Sequence, residues 1–298
     1  MRLPLAVQAE HRIFSSPRIG VVSYYADRSA SGRPLVLVHA INAAGSAYEM
    51  RPLFERYRGQ RPVYALDLPG FGFSERSNRV YTPELYKQAL IELISTQVRE
   101  PADVVALSLG CEFAARAALE RPDLFHSLVF ISPSGLTEGR AEKTSQAVSG
   151  TGASDLAYAT LAFPLWSQAF FDLLATRASI RFFLKQSFVG DVPPDLIEYD
   201  LLTAHQPGAR YAPLYFVSGK LFTRDILEAA YERLSLPVMV LYDRDFFVRF
   251  DLLPRLVDNC PNWRAVRITP TLGLPHWERL DETAHHLEAF WREPASVF

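Results

Sequence analysis

Cysteine is nearly missing: Cys111 and Cys260 are the only two in 298 residues. Two thiols make no disulfide framework and are too few for a cysteine-built zinc site. Glycine is short as well, with 15 residues against 21 prolines, where about 7% glycine and 5% proline are usual. No apolar run approaches the roughly 20 residues that a bilayer span needs. The most apolar stretch, Leu156 to Leu174, is broken by Pro164 and Asp172. The opening residues, MRLPLAVQAEHRIF, lack a basic stretch followed by a sustained apolar run, so no secretory signal is expected. An excess of either charge is lacking too: a formal net charge of -2 gives no overall basic footprint for nucleic acid. No phosphate-loop or dinucleotide fingerprint appears. These absences lead us to expect a cytoplasmic protein without a membrane span and without a metal or redox cofactor. Its oligomeric state stays open.

Apolar residues make up 49% of the chain and charged residues 21%, enough to build a substantial core. Two β-rich runs near Arg12–Phe14 and Gly20–Tyr25 flank a turn at Pro17. The runs Leu35–Val38, Val63–Leu66, Val104–Leu107 and Leu128–Ile131 then read as strands buried on both faces. Helical segments separate them, one of them capped at Ser46 and another starting at Thr82-Pro83. Strands of this kind alternating with helices indicate an α/β fold around a mostly parallel, doubly wound sheet. From about residue 136 to 225 the texture turns aromatic and helical, with Phe163, Trp166, Phe170, Phe171, Phe182 and Phe183, and no strong strand run before Leu214–Val217. Alternation resumes with Val238–Leu241, Ala265–Ile268 and a last helix near Asp281–Trp291. Residues 1–135 and 226–298 are therefore expected to form one sheet domain, and 136–225 a helical insertion.

The strongest chemical signal is Ala106-Leu107-Ser108-Leu109-Gly110, set between a buried strand and a small-residue helix. It lies one residue from the G-x-S-x-G nucleophile elbow, in which a serine sits on a strained strand-to-helix turn. Leu37-Val38-His39-Ala40-Ile41, Asp67-Leu68-Pro69-Gly70-Phe71-Gly72-Phe73-Ser74 and Arg121-Pro122-Asp123 surround it in order. Together these segments resemble the α/β-hydrolase superfamily over nearly the whole chain. The resemblance implies that Ser108 is the nucleophile and that the N–H groups of Ile41 and Leu109 form the oxyanion hole. It implies a structural role for His39 and makes 136–225 a cap over the substrate site. Asn42 either adds a donor or stabilises its turn. In the same comparison Asp245, or else Asp243 paired with Arg244, is the carboxylate that orients a histidine.

The histidine breaks the pattern. Where the superfamily reads G-H-x-P-x-x-E, this chain reads Leu272-Gly273-Leu274-Pro275-His276-Trp277-Glu278, which puts Gly273 at the position of the base. Three accounts follow. His276 reaches Ser108 from a rebuilt loop and completes a triad. Or another group, His205 or the substrate itself, supplies the base, and the chemistry is altered and non-hydrolytic. Or the chain is a degenerate relative that binds an apolar small molecule or a protein partner without turnover. The first makes it a serine-dependent hydrolase of a small apolar ester or related carbonyl compound, with Ser108, Asp245 and His276 as catalytic residues. Cys111 reads as a small packing residue, Glu112 as a carboxylate at a helix start, and His285-His286 as part of a surface helix.

Overall fold

Strands that are apolar at every position need cover on both faces, and the sheet supplies it. The computed structural model describes residues 2–138 and 152–293. Its strands are β1 (Glu10–Ser16), β2 (Gly20–Asp27), β3 (Leu35–Val38), β4 (Val63–Asp67), β5 (Ala102–Leu107), β6 (Phe125–Ile131), β7 (Val238–Arg244) and β8 (Trp263–Leu272). They form one sheet in the order β1-β2-β4-β3-β5-β6-β7-β8. β1 pairs antiparallel with β2, and β2 with β4. All later pairs are parallel. Successive side chains point to opposite faces. Val36, Val38, Val104, Ala106, Leu128 and Phe130 thus enter one core, while Leu35, Leu37, Val105, Leu107, Val129 and Ile131 enter the other. Each such buried Val, Leu or Phe contributes about 1.5–3 kcal/mol relative to exposure.

Helices α1 (Arg51–Tyr57), α2 (Pro83–Glu92) and α3 (Gly110–Glu120) connect the early strands. Thr82 caps α2 as expected, its hydroxyl accepting the Leu85 N–H at 3.2 Å. Ser46 does not cap: the chain first makes a tight turn at Ala47–Met50, and the buried Ser46 hydroxyl has no partner among the described residues.

Between β6 and β7 lie α4 (Gly152–Leu161), α5 (Ser167–Leu174), α6 (Arg177–Lys185), α7 (Pro194–Ala204) and α8 (Tyr211–Val217). The apolar run Leu214–Val217 is therefore helix rather than strand. Four apolar residues carry no period of their own, and here Tyr215 is held by ring contacts to Tyr158 at 4.1 Å and Tyr81 at 5.6 Å. The inserted helices rest on the loops that leave β3 and β4. Ala44 packs with Phe171, Ala175 and Ile180, Tyr48 stacks on Tyr199 at 4.2 Å, and Arg76 donates to the Thr203 hydroxyl at 2.8 Å. Phe171 and Phe188 are buried, whereas Phe163, Trp166, Phe182 and Phe183 face solvent. Helices α9 (Ile226–Ala229), α10 (Leu253–Asn259), α11 (Pro275–Glu278) and α12 (Leu280–Arg292) complete the described residues, none of which forms a helix long and apolar enough to cross a membrane.

Candidate active site

Ser108 follows the last residue of β5 and precedes the first turn of α3. Its φ is +52°, a left-handed conformation that costs a non-glycine residue about 1–3 kcal/mol. The turn is locked from both sides: the Ser108 N–H donates to the Ile131 carbonyl at 2.9 Å, and the Ser108 carbonyl accepts from the Cys111 N–H at 3.1 Å. Gly110 is required by space rather than by conformation. A Cβ there would lie 2.7 Å from the His39 carbonyl oxygen and 3.3 Å from Val38 Cγ1. Cys111 is a buried packing residue whose thiol lies 3.2 Å from the Ala106 carbonyl, and burial pushes its pKa up.

The loop after β3 forms the opposite wall. The Leu68 N–H donates to His39 Nε2 at 3.0 Å, so the ring proton sits on Nδ1 and is donated to the Ala40 carbonyl at 2.6 Å. Burial pushes the His39 pKa down to about 4. His39 is a neutral strut. Asn42 is committed to the turn, accepting the Ala44 N–H at 2.7 Å while its amide donates to Glu49. The other Glu49 oxygen accepts the Ala40 N–H at 2.8 Å, and burial pushes this carboxyl up to about 7. The N–H groups of Ile41 and Leu109 donate to no protein acceptor among the described residues, although both residues are buried. Buried backbone donors are rarely left unpaired unless a ligand or water takes them.

The two carboxylates after β7 separate cleanly. Asp243 sits where the β7–β8 register shifts. It accepts from Arg267 Nε at 2.7 Å and from the Thr271 N–H at 3.0 Å. Its ionic partner is therefore Arg267, not the expected Arg244, because the register shift turns the carboxylate toward β8. Asp245 uses one oxygen to accept the N–H groups of Phe247 at 2.7 Å and Val248 at 3.1 Å. Its other oxygen faces Gly273, where a Cβ would lie 2.7 Å away. Burial raises the Asp245 pKa. Gly273 has φ +99°, and its carbonyl accepts from the Ser132 hydroxyl at 2.9 Å.

His276 is not joined to Ser108 or Asp245. Its Nε2–H donates to the backbone carbonyl of Glu49 at 2.9 Å, and the Trp277 indole donates to the same oxygen at 2.7 Å. The ring is fully buried, which pushes its pKa down to about 4, and Nδ1 has no partner among the described residues. The expected displacement of the base from 273 to 276 thus meets a physical obstacle: the start of α11 turns the side chain toward α1 and its preceding turn. His205 is exposed and donates through Nδ1 to the Leu201 carbonyl at 2.8 Å, closing the end of α7. Glu112 is buried, accepting from the Ser134 hydroxyl and from the Thr223 N–H at 2.7 Å.

The sequence reading passed over Glu49, Ser132 and Asp200. Glu49 was visible as the one charge in the buried turn Ala47–Met50. Asp200 lies buried on α7 with Oδ1 unpartnered among the described residues, and burial together with the Glu49 charge raises its pKa. No three His, Cys, Asp or Glu side chains among the described residues are grouped to hold a metal ion.

An elbow serine, two unpaired donors and a carboxylate after β7 occur here in one eight-stranded sheet. The model of the alpha/beta hydrolase family matches residues 35–290. The chain belongs to that family. Membership places it among the hydrolases without fixing the bond it cleaves. Over 118 residues it is 34% identical to the uncharacterized hydrolase YugF of Bacillus subtilis, a match spanning 39% of this chain and 42% of that protein. Over 248 residues it is 26% identical to 2-(acetamidomethylene)succinate hydrolase of Mesorhizobium japonicum, spanning 81% of each. The fold is similar to that of a serine hydrolase involved in carbazole degradation, the CarC enzyme. That match has a TM-score of 0.73 at 15% identity and covers 95% of this chain and 99% of the other. At that identity the likeness speaks to fold alone.

Proposed function

We propose that this hydrolase acts through Ser108 on a small apolar ester or related carbonyl compound, and that Asp245, not a histidine, receives the serine proton through one water. The observation carrying this reading is the strained Ser108, retained at φ +52° in a site where the Ile41 and Leu109 N–H groups donate to no acceptor among the described residues. Strain of this size is relieved by glycine, and free donors of this kind are what a developing oxyanion needs. Ser108 Oγ attacks the carbonyl carbon while its proton passes through the water to Asp245. The Ile41 and Leu109 N–H groups hold the oxyanion. As the tetrahedral intermediate collapses, the proton returns along the same path to the leaving oxygen. A second water then hydrolyses the acyl-serine by the same relay.

A carboxylate is a weaker base than imidazole, even with its pKa raised by burial. The reading therefore implies slow turnover and a preference for acyl compounds with good leaving groups. Removing one member of a catalytic triad commonly leaves about 10³–10⁴-fold acceleration over water.

Labelling with a fluorophosphonate tests the assignment. Ser108→Ala should abolish labelling and Asp245→Asn should slow it by about tenfold or more, with His276→Gln unchanged. The pH inflection of the rate should be lost in Asp245→Asn and kept in His276→Gln. An inflection that His276→Gln removes would restore His276 as base. The second reading, an apolar binder without turnover, is favoured by the want of any imidazole bonded to Ser108 among the described residues. It predicts ligand binding with no labelling of Ser108.

A further inference from the structure

We propose that Glu112 is a positioning residue: it fastens both roots of the inserted helices to α3, the helix that leads away from Ser108, and so seats those helices over the reacting serine. The role rests on Ser108 being the nucleophile.

Glu112 stands four residues after Ser108, in the first turn of α3, and is only 1% exposed. Each of its oxygens reaches a different root. One accepts the Ser134 hydroxyl, three residues after the end of β6, where the chain leaves the sheet. The other accepts the Thr223 N–H at 2.7 Å, three residues before α9, where the chain returns. The two roots lie against each other here. Gly135 leaves no room for a Cβ beside Ile226, and the Tyr231 hydroxyl donates to the Ser134 carbonyl at 3.0 Å. Asp225, between Thr223 and Ile226, has φ +49°, a left-handed backbone that only surrounding contacts hold in place.

The dipole at a helix start favours a carboxylate there, and a solvated one already gains from it. Burial adds a cost that the dipole does not explain. What the buried position adds is contact with residues 22 and 111 places away in the chain. Among the described residues, the charged and titratable groups facing Glu112 are Arg116 on the same helix, the Cys111 thiol and the Tyr231 phenol. Burial outweighs the two hydrogen bonds and Arg116, and pushes the carboxyl up to about 7. The seated roots therefore favour neutral Glu112, while a released root lets water reach it and favours the carboxylate. The contribution of Glu112 to seating is complete below pH 4.5 and is lost as the pH rises through about 7.

Amide exchange at Thr223 in the full chain reads the tie directly. Labelling by an alkyl fluorophosphonate, resolved into probe capture (KI) and the covalent step (kinact), reads its effect on the reaction. The reference is Glu112→Gln, which keeps an acceptor for Thr223 and cannot ionise. Relative to it, protection of the wild-type Thr223 amide should fall by about tenfold or more between pH 5 and 7. KI of the wild type should rise by about threefold or more over the same range, again relative to Glu112→Gln. Ser134→Ala removes one tie at little loss of volume, and at pH 5 should raise KI by about threefold or more with kinact within about twofold. Parallel pH trends in wild type and Glu112→Gln, or a Ser134→Ala effect confined to kinact, would overturn the proposal. A wild type that takes up no label overturns the Ser108 reading and the positioning role with it. A labelled wild type whose Thr223 exchange is indifferent to Glu112→Gln overturns the role of Glu112 alone.

Discussion

Gly273 shows how much one residue can exclude. Its φ of +99° is rarely adopted by an L side chain, and a Cβ would press on the Asp245 carboxylate at 2.7 Å. The position is not a histidine site with the ring removed; the backbone and the acid have closed over it. Gly273→His should therefore leave the labelling rate of Ser108 unimproved and destabilise the fold by about 1–3 kcal/mol. Differential scanning calorimetry would register a fall in Tm of roughly 2–6 °C. Ser108 and Gly110 were legible in the sequence because the elbow is decided within five residues, by strain and close packing. The orientation of His276 was not, because its partner is the Glu49 carbonyl, 227 residues away in the chain. Asp245 against Asp243 fell between these cases. The motif favoured Asp245, but only the register shift explains why Asp243 is spent on Arg267 and Thr271.

At the scale of elements, the loop from Ala40 to Met50 is held by a side chain as well as by its own backbone. Glu49 receives both the Ala40 N–H and the Asn42 amide, fixing the segment that carries Ile41. Glu49→Ala leaves both donors without that acceptor, at a cost of about 1–3 kcal/mol. It should slow Ser108 labelling by about tenfold, since a misplaced oxyanion donor loses much of its effect. Stopped-flow labelling beside urea melts would separate the two effects, and an unchanged rate in the folded variant would remove Glu49 from the support of the donor. The central strands were readable from their continuous apolar runs, and α2 from its Thr-Pro start. Leu214–Val217 was not, because a run of four is shared by buried strands and buried helices and ring packing decides between them.

Across the whole molecule, buried carboxyls and buried imidazoles pull stability in opposite directions with pH. Glu112 is pushed up from 4.5 to about 7 by burial. Its neutral form favours the folded state, so its stabilisation is complete below pH 4.5 and is lost as the pH rises through about 7. His39 and His276, pushed down to about 4, also favour the fold when neutral. Their contribution is instead complete above about pH 6.5 and lost as the pH falls through about 4. The opposed slopes overlap, which makes wild-type stability a poor reporter of either. Glu112→Gln keeps an acceptor for the Thr223 N–H and removes the titration. Relative to wild type it should gain about 3 kcal/mol in urea melts between pH 4.5 and 7, with no further change above. A constant difference across that range would mean that Glu112 titrates normally. A further consequence lies in the two roles of Glu49, whose carboxylate holds the Ala40 N–H and whose carbonyl receives both His276 and Trp277. Residues from opposite ends of the chain are fastened to one point. In deuterated solvent, the Ala40 amide and the Trp277 indole proton should exchange at rates set by a single shared opening.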